Sequence, residues 1–562
     1  MYLRSNHLSW FIRGETLFLY HDLFGYLLEM SRDLKALVDY FAQPHAAEEA
    51  ATAMALTWTR DQVGQFIGVF AQHRVLVAPG DDELAVLAEA VPIKGPWILG
   101  YRGDDGCMTM VTSRGFGDEP WAQPQLYKLD AWHSDLWRAI DGERTLRQLA
   151  MAMTEACDGD VRDDLRLTIA SVAAWTHSDR QMTRLLPAPR SQLPRLPSYA
   201  TSTMPYAPLG TPSGHGTPAV AQGGLDLTAY HQETITDAEQ QFEEFETTLS
   251  HLFCEPHPAL GERTWGQTLA QVALQRGWVA AGRARVIEVG GGTGRCAAAM
   301  ARELHEQAAD LRYRVVELSP ALHAAQTARL ADQPWASSEL GHAERLELPD
   351  ASVDFALSNE VIADLRIGLV TRKSLHTLRP DAESDAEALD LVIQYDLATQ
   401  RGPEPMPIQV GATHLIEQLA RVLAPGGVAL LSEFGEENQF PIESTHLDHG
   451  EWSVHFGHLM QVARRLGLEA SLESVPELMS LRGDVWVLAS NRTQFRNLRY
   501  LFAQLGATLA KRALTPEQLA VAAGGKLQLD RIEGLQFRPV SERVMGLHPN
   551  EFKALILRRP PA

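Results

Sequence analysis

The run Val286 to Gly294, VIEVGGGTG, reads as a buried strand that turns sharply on glycines into a helix. Glu288, Gly290, Gly292 and Gly294 give the spacing E-x-G-x-G-x-G, which lets a ligand come close to the backbone at the carboxyl end of a strand. A dinucleotide-binding turn would want G-x-G-x-x-G, and the place of its third glycine holds Arg295. Downstream segments extend the reading. A helix over 295–307 leads to the short strand YRVVELSP, which carries Glu317 where a carboxylate can accept both ribose hydroxyls of a nucleoside. The apolar run 353–357 then empties into Ser358, Asn359 and Glu360. Taken singly, Glu317 and Glu360 read equally well as solvated strand ends; three strand-to-loop matches in succession favour a site.

This spacing resembles that of the class I S-adenosylmethionine (SAM) methyltransferases, which implies SAM as cofactor, held by Glu288, Gly290, Gly292, Gly294 and Glu317. In such enzymes the loop after the third strand often sets an Asp against the adenine amino group; here His342, followed by Ala343, takes that place.

Composition sets the outer limits. A chain of 562 residues is too long for one compact core, and two to four domains are expected. With 45% hydrophobic and 22% charged residues it is globular, and a net charge of -21 argues against nucleic acid or an anionic membrane as partner and favours a basic peptide. The four cysteines, Cys107, Cys157, Cys254 and Cys296, are widely separated and indicate neither a disulfide framework nor a thiolate metal site. The N-terminal MYLRSNHLSWFIRGE lacks the basic and apolar regions of a signal peptide and no apolar run approaches membrane-spanning length, so a cytoplasmic protein is expected.

Between Pro187 and Gly224 the chain is dense in Pro, Ser, Thr and Gly without periodicity, and reads as a linker. Before it lie two segments of similar layout. The first has β-prone runs at LSWFIRG and TLFLYHDLFGYLLEM, helical patterns over 31–41, 46–55 and 59–72, and the terminal strand RVLVA. The second has PWILGYR and GCMTMVTSR, then helical LYKLDAWHSDLWRAIDGERTLRQLAMAM, a helix over 161–177 and the strand-like QMTRLLP. Both look like small winged-helix units. Leu129, Asp130 and Asp141-Gly142-Glu143-Arg144-Thr145-Leu146 make the second similar to the small peptide chaperone of pyrroloquinoline quinone biosynthesis. That resemblance, looser in the first segment, implies recognition of a leader peptide as an added strand between sheet and helix; a purely structural or dimerising pair of domains is the other reading.

The second half resembles, in order, the MidA-like methyltransferases, assembly factors of respiratory complex I. The resemblance rests on VIEVGGGTG, Glu317-Leu318-Ser319-Pro320 with Gln326, Asn359-Glu360, PGGVALLSEFG, WSVHFGHLMQVARRLGL and a closing FKALILRR. It implies a seven-stranded, mostly parallel sheet whose last strand is 552–557, with the substrate near Asn359 and Glu360 and arginine as a possible acceptor. The chain departs from its relatives at His455-Phe456-Gly457-His458, where they carry His-Val-Asp-Phe and so an acidic residue.

Methyl transfer asks little covalent chemistry of a protein, so position dominates and can lower the barrier by roughly 7 to 11 kcal/mol. An arginine acceptor, with a pKa of about 12.5 or higher, needs carboxylates to localise its charge and receive its proton. Glu360 is the first candidate, with Glu433 and Glu436 as second ones, while Asn359 lines the site and His455 is a possible general base. No metal is expected from His446, His449, His455 and His458, which lack companion ligands at known spacing. LTPEQLAVAAGG, capped by Thr515, reads as a helical insert that either covers the substrate cleft or simply packs.

The expected architecture is therefore α/β: two winged-helix-like domains over 1–85 and 93–187, a linker over 188–224, and a Rossmann-like seven-stranded methyltransferase domain over 225–562. The expected function is methylation of a ribosomally made precursor peptide, arginine first, with the leader gripped by the N-terminal domains and a homodimer possible. A SAM-binding scaffold and a small-molecule methyltransferase are the alternatives.

Overall fold

The computed structural model describes residues 1–13, 16–21, 26–80, 83–113, 123–157, 161–177, 182–193, 235, 247–400, 402–446, 449–542 and 547–562. The expected linker over 188–224 lies almost wholly outside them. The chain forms two compact units, and neither is continuous in sequence. One comprises 1–214, 491–509 and 520–535; the other comprises 215–490, 510–519 and 536–562.

In the second unit, alternating strands and helices build one mixed sheet. Its strands are β1 (Arg283–Val289), β2 (Asp310–Glu317), β3 (Ala336–Leu340), β4 (Val353–Asn359), β5 (Leu423–Glu436), β6 (Glu469–Ser474) and β7 (Phe552–Arg558). They lie in the order β3-β2-β1-β4-β5-β7-β6. The pairs among β1 to β5 are parallel, and β7 runs antiparallel between β5 and β6. A short eighth strand, Val454–His455, extends the expected seven by pairing with the end of β5. The order reverses between β1 and β4, where a parallel sheet opens a crevice at its carboxyl edge.

Several of the helices that cover the sheet begin at side-chain caps or at a glycine turn. In α1 (Trp265–Gln275) Thr264 and Gln267 form a capping box, and α2 (Arg295–Gln307), with the bounds expected from sequence, starts from the left-handed Gly294. Ser319 caps α3 (Pro320–Arg329) ahead of Pro320. The helices α4 (Val410–Val422) and α5 (Phe456–Arg465) bury Leu415, Ile416, Leu419, Leu459 and Val462 against Ile287, Ala356, Leu431 and Leu555 of the sheet.

The first unit contains the two repeated layouts. Strands Leu8–Arg13, Thr16–His21 and Tyr26–Ser31 form an antiparallel sheet, followed by helices Leu34–Tyr40, Ala47–Ala53 and Arg60–Gln72. In the second layout Leu99–Arg102, Met108–Thr112 and Gln125–Lys128 precede helices Ala131–Ala139, Leu146–Cys157 and Val161–His177. Two expectations change. The segment read as helical from Leu126 onward opens as a strand, because Gln125 to Lys128 pair with Thr112 to Thr109. The second module also begins before residue 93: Leu87, Ala88 and Val91 lie in its core, and Val91–Lys94 pairs with Thr183–Leu186.

The motif behind the peptide-chaperone resemblance is a set of turns and caps. Asp130 accepts the His133 N–H at 2.8 Å and starts a helix. Asp141 accepts the amides of Glu143 and Arg144, Gly142 takes a positive φ of 81°, and Thr145 accepts the Gln148 amide at 3.2 Å. These residues shape the module and are engaged in doing so.

The first unit is completed from the far end of the chain. Strand Ile532–Glu533 pairs with Leu99–Arg102, adding a fourth strand to the second module's sheet. Helix Arg492–Gln504 buries Phe495, Leu498, Leu501 and Phe502, and its Asn497 bonds Ser113 Oγ at 2.7 Å and the Trp97 carbonyl at 3.0 Å. Glu533 accepts the Trp137 indole N–H and the Lys94 ammonium, each at 3.1 Å. Thr515 does cap the helix Pro516–Ala523, through the Gln518 amide.

Candidate active site

The glycine turn follows β1 with positive φ at Gly290, Gly292 and Gly294. Protein side chains fill the space that a Cβ would take. A Cβ on Gly290 would come within 2.6 Å of Val361, one on Gly291 within 2.6 Å of Val315, and one on Gly294 within 3.1 Å of Gln326. At these positions, close approach by neighbouring elements requires the missing side chain, whereas the sequence reading attributed it to a ligand.

Glu317 ends β2 beside this turn and is 4% exposed. One carboxylate oxygen accepts the amides of Leu318 and Ser319 at 2.9 and 3.0 Å; the other accepts Gly291 N–H at 3.3 Å and Gln326 Nε2 at 2.8 Å. Burial raises its pKa, and those donors oppose the rise. His342 and Ala343 follow β3 on the same edge, both half-buried, with His342 Nδ1 accepting the Glu344 amide at 3.2 Å. An anionic acceptor, a tight glycine turn and the crevice at the strand-order reversal fit a nucleoside cofactor.

Glu288 is placed differently from expectation. Alternation along β1 puts it on the face of Val286, 2% exposed, where it accepts the Tyr313 hydroxyl at 2.6 Å. Burial lifts its pKa to about 7 against that hydrogen bond. It supports the turn from within the fold.

At the mouth of β4 the side chains are ordered by a chain of hydrogen bonds. Asn359 Oδ1 accepts the Trp265 indole N–H at 3.2 Å and the Ser432 hydroxyl at 2.8 Å, so its Nδ2 is left to donate to Glu360 at 3.1 Å. Glu360, in the left-handed region with φ 56°, also accepts the Leu249 and Ser250 amides at 3.0 and 3.4 Å. A non-glycine residue held there at a strand end is strain of the kind found at sites.

Glu433 lies on the neighbouring strand, since Asn359 pairs with Ser432. Its oxygens accept the amides of Ala363 and Phe434 at 3.2 and 3.0 Å, and it is 3% exposed. Burial first, then the charges of Glu360 and Glu451, raise its pKa well above the usual range, with Asp364 adding to the effect. Glu436, the other second-acid candidate, sits 3.5 Å from Lys553 Nζ.

His455 does not fit the base role. Its Nδ1 accepts the His458 amide at the start of α5, and the two rings stack at 3.7 Å. Burial and the second ring lower its pKa to about 3. It is a neutral structural cap. Among the described residues no three His, Cys, Asp or Glu side chains gather to hold a metal ion, and the side chains of His446 and His449 lie outside those described. No described helix is long and apolar enough to cross a membrane.

Trp265, Ser432, Glu451 and Asp364 were not singled out from sequence. Trp265 lies inside a capping box and reads as core, and Ser432 sits inside an apolar strand run.

Residues 267–455 match a family described as "Putative S-adenosyl-L-methionine-dependent methyltransferase". No curated protein matches the chain. Among solved structures, a Burkholderia thailandensis protein bound to S-adenosylhomocysteine is 18% identical, covering 61% of this chain and 94% of that one, with a TM-score of 0.32. Phosphoethanolamine N-methyltransferase 2 of Haemonchus contortus, in complex with SAM, is 12% identical over 60% of this chain and 61% of that one, with a TM-score of 0.30. The chain is a SAM-dependent methyltransferase, with SAM as its cofactor.

Proposed function

We propose that this enzyme methylates a cationic nitrogen, arginine first, in a ribosomally made precursor peptide whose leader is held by the N-terminal modules. The observation that carries the reading is the pair Glu360 and Glu433 on adjacent strand ends, reinforced by Glu451 and Asp364. Bound SAM supplies a methyl group on a positively charged sulfur. Glu317 would hold its ribose, and the weakest of that carboxylate's four donors, Gly291 N–H at 3.3 Å, is the one a hydroxyl can replace. Glu360, aimed by Asn359, orients the acceptor. Glu433, pushed toward its neutral form, ionises as a cation arrives and gives up its proton to solvent; it then receives the proton that the nitrogen loses on methylation.

The modules support the peptide part. Each offers an antiparallel sheet next to helices, a layout that accepts an added strand. In the second module Ile532–Glu533 already covers the Leu99–Arg102 edge, which leaves Gln125–Lys128 as the free edge among the described residues. The four acidic side chains of the catalytic mouth and the net charge of -21 both favour a basic core sequence. A second encounter made intramolecular by leader binding lets a site with few sequence contacts act efficiently.

The experiment is incubation of the full chain with SAM and arginine-containing precursor peptides, read by mass spectrometry with fragmentation. One added methyl group on an arginine, dependent on the leader, is the expected result. Tight SAM binding with no methyl on any peptide would leave a scaffold, and equal turnover of free small amines would indicate a small-molecule enzyme.

A further inference from the structure

We propose that Gln326 is a positioning residue for SAM, tying the ribose-side carboxylate to the glycine turn while touching neither substrate. Gln326 lies on α3 and is wholly buried. Its Nε2 carries two hydrogens and spends both: one goes to the Gly292 carbonyl and one to Glu317 Oε2, each at 2.8 Å. Its Oε1 accepts the Ser338 hydroxyl at 2.6 Å, and Ser338 in turn takes a hydrogen bond from His323 Nδ1 at 2.8 Å. The Gly292 carbonyl and the Glu317 carboxylate only accept, so the NH2 must face them; Oε1 then takes the Ser338 hydrogen, and His323, in the tautomer with hydrogen on Nδ1, donates to Ser338. A flipped Gln326 would set an oxygen against Glu317 and leave Ser338 facing an NH2.

Three elements thus meet in one amide: the turn after β1 through Gly292, β2 through Glu317 and β3 through Ser338. The turn is shaped to receive it. A Cβ on Gly291 would lie 3.1 Å from Gln326 Nε2, and one on Gly294 3.1 Å from its Cα and Cγ. Two of the turn's glycines accordingly make room for this side chain. Gln326 fixes where Glu317 points and where the turn's amides sit before the cofactor arrives, which is preorganisation of a binding site.

The test is calorimetric binding of S-adenosylhomocysteine to full-length Gln326→Glu and Gln326→Met variants. The glutamate sets a second carboxylate 2.8 Å from Glu317 Oε2. Two carboxylates at that distance cannot both ionise, and as pH falls they come to share a proton that restores the missing donor. At pH 8 Gln326→Glu should bind about 100-fold more weakly than the unaltered protein. At pH 5.5 the deficit, again relative to the unaltered protein, should shrink at least tenfold. Gln326→Met keeps the bulk without hydrogen bonds and should bind about tenfold more weakly at both pH values, with an unchanged circular dichroism spectrum. Binding by Gln326→Met within threefold of the unaltered protein, or a Gln326→Glu deficit equal at both pH values, overturns the proposal. If the methionine variant does not fold, the pH comparison of Gln326→Glu decides alone.

Discussion

Glu433 and Glu317 are both buried carboxyl groups with raised pKa values, yet their surroundings assign them different work. Glu433 accepts two backbone amides and faces like charges, so glutamine mimics its neutral state. Glu433→Gln should melt within a few degrees of the unaltered protein and bind SAM equally well. Its methyl transfer should fall by roughly 100-fold, as expected for loss of a general base, measured with saturating peptide. Glu317 instead gathers four N–H donors. Glu317→Ala strands those buried amides at roughly 1 to 3 kcal/mol each and removes the ribose acceptor. Calorimetry should show SAM binding weakened by at least about tenfold, and the melting temperature should drop. Retained affinity in that variant would remove the proposed ribose contact.

Between elements, one ion-pair chain ties the loop after β3 to α4. Arg366 forks onto Glu344, with distances down to 2.6 Å, and reaches Glu387 at 2.8 Å. His414 on α4 bridges Glu387 and Glu417 at 2.8 and 2.7 Å. The Arg366 hydrogen bond, first among several favourable contacts, holds Glu387 down to about 2. Burial would lower His414, and the two flanking carboxylates outweigh it and raise its pKa. The signs follow. Stability from His414 is present below its unfolded pKa of about 6.5 and is lost as pH rises through the higher folded value. Stability from Glu387 is present above its unfolded value and is lost as pH falls toward about 2. A melting series should therefore show the unaltered protein losing more stability than His414→Gln as pH climbs past about 6.5; parallel curves would exclude the bridge. Packing at the same joint is tight. A Cβ on Gly411 would lie 2.6 Å from Glu344 Oε1, so Gly411→Ala should cost about 1 to 3 kcal/mol in denaturant unfolding.

Across the whole molecule, the chain crosses between its two units several times, and residues 491–509 and 520–535 return to the first. The second N-terminal module is accordingly not a detachable bead. Removing residues 1 to 187 uncovers Phe495, Leu498, Leu501 and Phe502, each worth roughly 1.5 to 3 kcal/mol when buried. The truncated chain should aggregate on size-exclusion chromatography, and a soluble monomer would show that this helix has another cover. Charge acts on the same scale. With a net charge of -21, capture of a basic precursor should weaken as salt shortens the screening length to about 3 Å at 1 M. Salt-independent affinity would point to apolar recognition instead.

What the sequence alone determined is local. The strand, glycine turn and helix from Arg283 to Gln307, the strand ends that carry Glu317 and Asn359-Glu360, and the Thr515 cap were legible, because apolar runs, glycine turns and helix caps are written within a few residues. Tertiary structure decided which way these groups face and what completes them. Pleat alternation turned Glu288 inward to Tyr313, and a backbone amide three residues on engaged His455 Nδ1. Gln326 was visible in the sequence as part of a resemblance, but its work appears only where three elements converge. Ser113 and Asn497 stand 384 residues apart and share a hydrogen bond at 2.7 Å. No periodicity or motif encodes such a pairing, since burial of one apolar helix face against a distant sheet is set by the whole fold.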